Sequence, residues 1–167
     1  MDIVRLTIPY DFVRARTRLT WRGVNFGLEN ELLDPDAPRE LAVDQIGDIG
    51  EPSRALLELA STSRGEPTME LVAQLASSEP QHPEENIRET WLYLVLAWVY
   101  EHRNEYVDPL QRVEEVYADF GYPERIVNFV RYMPMQGPDL GSPAANERRL
   151  FEQWSQYLDE TSRNHPR

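Results

Sequence analysis

The sequence predicts an all-α fold, a single globular domain of about eight or nine helices around a buried central helix at 83–103. Three observations carry this. Pro38, Pro52, Pro83, Pro109, Pro123 and Pro143 each stand just before a segment of helical pattern, where a missing N–H costs nothing. Apolar residues recur at helical spacing in the segments that follow. Strand signals are weak: only 6–8 reads as extended, and no Asn-Gly or Asp-Gly hairpin turn occurs.

Taken in order, helices are expected at 10–17, at 20–32 behind the N-cap Thr20, at 38–46 after Pro38, and at 52–61 after Pro52. The next is 68–77, capped by Thr68, followed by the central helix at 83–103. There Trp91, Leu92, Leu94, Val95, Leu96, Ala97, Trp98 and Val99 leave no polar face, and such a helix has to be covered on all sides. Asp108 and Pro109 open 109–120, whose stripe is Leu110, Val113, Val116, Tyr117 and Phe120. Pro123 opens 123–132. A Gly- and Pro-rich loop at 136–142 leads to Ser142, Pro143 and a last helix at 143–161 with the stripe Leu150, Phe151, Trp154, Tyr157 and Leu158; 162–167 is a short tail.

The 167 residues carry 29 Asp+Glu against 17 basic residues, all arginine, for a formal charge of −12. That balance excludes a nucleic-acid binder, which needs a basic stripe, and opposes adsorption to an anionic membrane. With no cysteine there is no disulfide, thiolate site or cysteine nucleophile, which fits a reducing cytoplasm. No signal peptide is read at the N-terminus, and the apolar run 91–100 is too short to cross a bilayer.

No reaction motif is present: no G-x-S-x-G, no phosphate loop, no G-x-G-x-x-G and no paired histidines among His82, His102 and His165. His102 closes the central helix, where a cation suits the negative dipole end. Neither a cofactor nor a metal is expected; Glu114, Glu115 and Asp119 read as a solvated face rather than a cation site.

The placement of acids is more informative. Asp36, Glu40, Asp44 and Asp48 recur in steps of four along one edge of the third helix, away from Ala42 and Ile46. Like charges at that spacing destabilise a helix by about 0.2–0.5 kcal/mol per pair. Asp48 also meets the unfavourable end of the dipole. Glu115 and Asp119 repeat the pattern on the outer face of 109–120. An ordinary acidic surface would account for this, and so would a landing surface for a basic partner, which raises association rates and makes binding salt-sensitive.

Three stretches, LTWRGVNFGL at 19–28, WLYLVLAWVYEHR at 91–103 and YVDPLQRVEEVYADFGYPERIVNFVRYMP at 106–134, resemble a bacterial family called domain of unknown function 2247. The resemblance spans 19–134, with the last helix outside it. It implies no activity and no catalytic residues. Small, acidic, cysteine-free bacterial proteins of this type are often immunity partners of secreted basic toxins, an association with a class.

The leading expectation is therefore a non-catalytic protein, most concretely an immunity protein, that meets a basic toxin domain through Asp36, Glu40, Asp44, Asp48, Glu115 and Asp119. One alternative is a small enzyme or ligand-binding protein with a polar pocket near Glu101, His102, Arg103 and Tyr106. Another is a structural or regulatory interaction module docking through an apolar patch.

Overall fold

The computed structural model describes residues 6–81, 83–135 and 137–165; His82 and Gln136 lie outside them. Eight α-helices and two 3₁₀ helices follow one another among the described residues, and the fold is all-α. The one β feature among them is a parallel bridge between Ile8 and Leu33, closed by Ile8 N–H donating to Leu32 O and Asp34 N–H to Ile8 O, each at 2.9 Å.

The chain divides into two compact units, 5–91 and 92–166, leaving aside a few terminal residues. The first holds α1 (Tyr10–Arg14), α2 (Trp21–Glu29), α3 (Ala37–Asp48), α4 (Arg54–Ala60) and α5 (Met69–Ser78). Within it α2 packs on α5, α3 on α4, α4 on α5 and α1 on α3. Helix α6 (Glu84–Glu101) contains the boundary between the units, at Trp91 and Leu92. Trp91 through Ala97 and Val99 are buried, as a helix apolar on all sides requires.

Helix starts follow local chemistry. The side chains of Thr20, Asp108 and Ser142 accept from the backbone N–H three residues on, as expected, and Ser53 does the same for α4. Thr68 stands at the N-cap of α5 but makes no such bond. At α2 the carboxylate of Glu79 accepts the N–H groups of Trp21 and Arg22, both at 2.9 Å. With Thr20 taking the Gly23 N–H, all three leading donors of α2 are satisfied. Behind this, the Trp91 indole N–H donates to Gly23 O at 2.8 Å and its ring lies against Gly27, where no Cβ would fit.

The second unit contains the rest of α6, a 3₁₀ turn at Arg103–Glu105, α7 (Pro109–Asp119), a 3₁₀ helix at Glu124–Phe129 and α8 (Pro143–Ser162). The α-helix expected at 123–132 is thus corrected to 3₁₀ geometry over six residues. Ile126 and Phe129 are its buried residues, and a three-residue turn places that pair on one side. The stripe of α8 is anchored by Trp154, which is fully buried. Leu150, Phe151, Tyr157 and Leu158 are only half-buried. Phe129 stacks on Trp154 and Tyr100 meets it edge-on, and α8 packs on the 3₁₀ helix.

Candidate partner-binding surface

In the first unit the four-residue steps place Asp36, Glu40, Asp44 and Asp48 along α3 from its N-cap to its last residue. The structure divides the row into two kinds of carboxylate. Asp44 is engaged: the Tyr10 hydroxyl donates to it at 2.6 Å and Arg14 at 3.2 Å, which fastens α1 to α3. The Tyr10 bond first, then Arg14, holds the Asp44 carboxyl below the usual carboxylate range. The same contact, added to burial, pushes the Tyr10 phenol up. Asp36 is paired with Arg64 at 3.2 Å.

Glu40 and Asp48 are exposed. Partial burial, then the negative charges of Asp11 and Asp34, push the Glu40 carboxyl above its ordinary value; Arg39 offsets this only in part, and Asp36 adds to it. Like charge from α1 and from the loop before α3 is therefore concentrated at one point on the helix. Two clefts border the row. One, of about 730 Å³, is lined by the acids Glu31, Asp36 and Glu66 and by apolar Leu28, Leu33 and Met69, with no basic residue in its lining. The other, of about 510 Å³, has Asp44, Asp48, Arg14 and Arg18 in its lining.

The acids of the second unit stand differently. Arg112 donates to Glu115 at 2.9 Å, one turn along α7. Arg131 forks onto both oxygens of Asp108, at 3.2 and 2.8 Å, and reaches Glu114 at 3.2 Å. This fork, with the N-cap bond from Gln111, holds the Asp108 carboxyl below the usual range. Asp119 ends α7, half-buried.

The polar groups at the end of α6 turn onto their own neighbours. His102 lies on the Trp98 ring, centroids 3.9 Å apart, with Nδ1 2.8 Å from Trp98 O. Arg103 donates to Tyr100 O at 2.7 Å and covers the Tyr100 ring. Arg112 lies over Tyr106, whose phenol is raised chiefly by burial. Glu101 is exposed. His102 and Arg103 are thus spent on closing a helix end.

Sequence reasoning found the row but missed Asp11, Asp34, Glu31 and Glu66, which make the region more acidic than α3 alone. The cluster of acids in ELLDPD, at 31–36, was the available signal.

The chain matches the family described as an uncharacterised protein conserved in bacteria (DUF2247) over residues 10–162. That match takes in α1 and α8, beyond the span 19–134 that the sequence words carry. No curated protein and no solved structure matches it. No helix among the described residues is long and apolar enough to cross a membrane. The chain is a member of the bacterial DUF2247 family.

Proposed function

We propose that this chain is a non-catalytic binding protein whose partner is a basic protein, and within that class an immunity protein that neutralises a basic toxin domain in the cytoplasm. One observation carries the reading. Glu40 stands exposed amid the charges of Asp11, Asp34 and Asp36, and Asp36, four residues before it at the N-cap of α3, lines a cleft with Glu31 and Glu66. Concentrated like charge lowers the stability of the free protein, and a cationic side chain entering from a partner relieves it. Glu40, Asp48, Glu31 and Glu66 form the attracting surface. Asp36 and Asp44 belong to it as well, but they also hold Arg64 and the α1 side chains. The net charge of −12 supplies long-range steering.

The test is co-expression with the product of each adjacent gene, followed by size-exclusion chromatography at low and high salt. A co-eluting basic protein is expected, with association slowing roughly tenfold or more between the two salt conditions. Glu40→Lys with Asp48→Lys should abolish co-elution while leaving the far-UV circular dichroism unchanged. Absence of a complex, or one indifferent to salt and to charge reversal, contradicts the proposal.

A further inference from the structure

The cleft of about 730 Å³ lies within the first unit, lined by residues from the end of α2 and the start of α5, two helices that pack on each other. Helix α2 stops in a Schellman pattern: Leu32 N–H donates to Gly27 O at 2.8 Å and Glu31 N–H to Leu28 O at 3.1 Å. The residue that turns left-handed there is Glu31, at φ 56°, where glycine is the ordinary choice. Its carboxylate also follows the negative end of the α2 dipole. Backbone and dipole both disfavour a glutamate at this place, and it lines the cleft.

Thr68 lines the same cleft and is only 7% exposed. Although it stands at the N-cap of α5, its hydroxyl accepts no helix N–H and has no hydrogen-bond partner among the described residues. The hydroxyl is not sealed in the interior; it opens onto the cleft. Asp36 is engaged by Arg64 and by the Gly65 N–H. Glu70, in the first turn of α5, answers the positive end of that helix. Glu31 and Glu66 remain, neither with an arginine partner among the described residues. An anion entering here meets acids and no base. An apolar group strips water from the carboxylates and from the Thr68 hydroxyl and gives nothing back. A cation with several N–H donors satisfies all three.

We propose that this cleft seats the guanidinium of an arginine side chain of the basic partner, with Glu31 and Glu66 as its carboxylate acceptors and the Thr68 hydroxyl oxygen as a third. Leu28 and Met69 line the cleft as well and offer apolar surface to the methylene stem. Guanidinium is favoured over ammonium because it is planar, forks onto carboxylates and is less strongly hydrated, so it loses less on entering a partly apolar cleft. That the guanidinium is carried by a protein rests on the proposed function; the cleft's choice of guanidinium does not.

The probe is n-butylguanidinium, compared with n-butylammonium and with the uncharged isostere n-butylurea, in amide-shift NMR titrations of the full chain. Butylguanidinium should bind at least about fivefold tighter than either, with the shifts concentrated at 31–33 and 65–70. Glu31→Gly and Thr68→Val should each weaken it several-fold. Both should do so with an unfolding midpoint that is unchanged or raised, since glycine adopts this φ freely and the lost hydroxyl held no bond. Glu40→Lys with Asp48→Lys should leave the affinity within about twofold, which separates the cleft from the α3 row. Probe binding without a co-eluting partner would support the cleft and contradict the proposed function; co-elution without probe binding would overturn the cleft alone. Equal affinities for butylguanidinium and either comparison compound, shifts centred elsewhere, or an affinity that survives both Glu31→Gly and Thr68→Val would likewise overturn it.

Discussion

Two helices of this chain carry acids at four-residue spacing, and the structure treats them in opposite ways. Along α7 and its N-cap, arginines answer the acids: Arg112 for Glu115, and Arg131 for both Asp108 and Glu114. Along α3 the answer is partial. Asp36 and Asp44 have Arg64 and Arg14, whereas the Glu40 carboxyl is pushed up by Asp11 and Asp34. Arginines thus meet Asp108, Glu114 and Glu115 on the α7 side, whereas α3 keeps an excess of like charge around Glu40. The difference lies at Glu40, where Arg39 offsets the surrounding like charge only in part.

The largest expected effect comes from breaking the packing of the first unit, at α2, rather than the charges of α3. A Cβ on Gly27 would run into the Trp91 ring, so Gly27→Ala should destabilise by about 2–3 kcal/mol, read as a lower urea midpoint. Next is the α7 side. Asp108→Ala removes both an N-cap and the fork from Arg131, for an expected loss of about 1–2 kcal/mol. Asp44→Asn should cost about 1 kcal/mol after allowance for solvent, because it weakens the acceptor shared by Tyr10 and Arg14.

The expectations that succeeded and those that fell short divide by the range of the interactions. Prolines and caps are local, so the starts at Pro109 and Pro143 and the caps Thr20, Asp108 and Ser142 were legible. The segment after Pro123 has helix-forming pattern but lies between a left-handed Tyr122 and Pro134, and it tightens to a 3₁₀ helix over Glu124–Phe129. The acid row was legible because its period is that of one helix. Its pairing was not: Tyr10, Arg14 and Arg64 are 34, 30 and 28 residues from their partners. Only tertiary folding brings such groups together, and no local rule reports it.

A pH titration sharpens the comparison by sign. The Asp44 and Asp108 carboxyls are lowered in the folded state. Their stabilisation is therefore fully present above their unfolded values and is lost as pH falls through the folded ones. Glu40 is raised, so its repulsion acts at neutral pH and is relieved as pH falls through its folded value. The stability difference between wild type and Glu40→Gln should shrink on acidification to below the ordinary glutamate range. For wild type against Asp108→Asn, the difference should persist to lower pH. Denaturant midpoints across a pH series read both.

The smallest effects are the most telling, because they differ in direction. The decisive measurement is urea unfolding of Glu40→Gln and Glu115→Gln side by side, at neutral pH and low salt. Glu40→Gln should gain about 0.2–0.5 kcal/mol by relieving like charge, and Glu115→Gln should lose a similar amount by leaving Arg112 unpaired. Loss in both variants, or gain in both, would contradict the claim that α3 holds charge in excess and α7 does not.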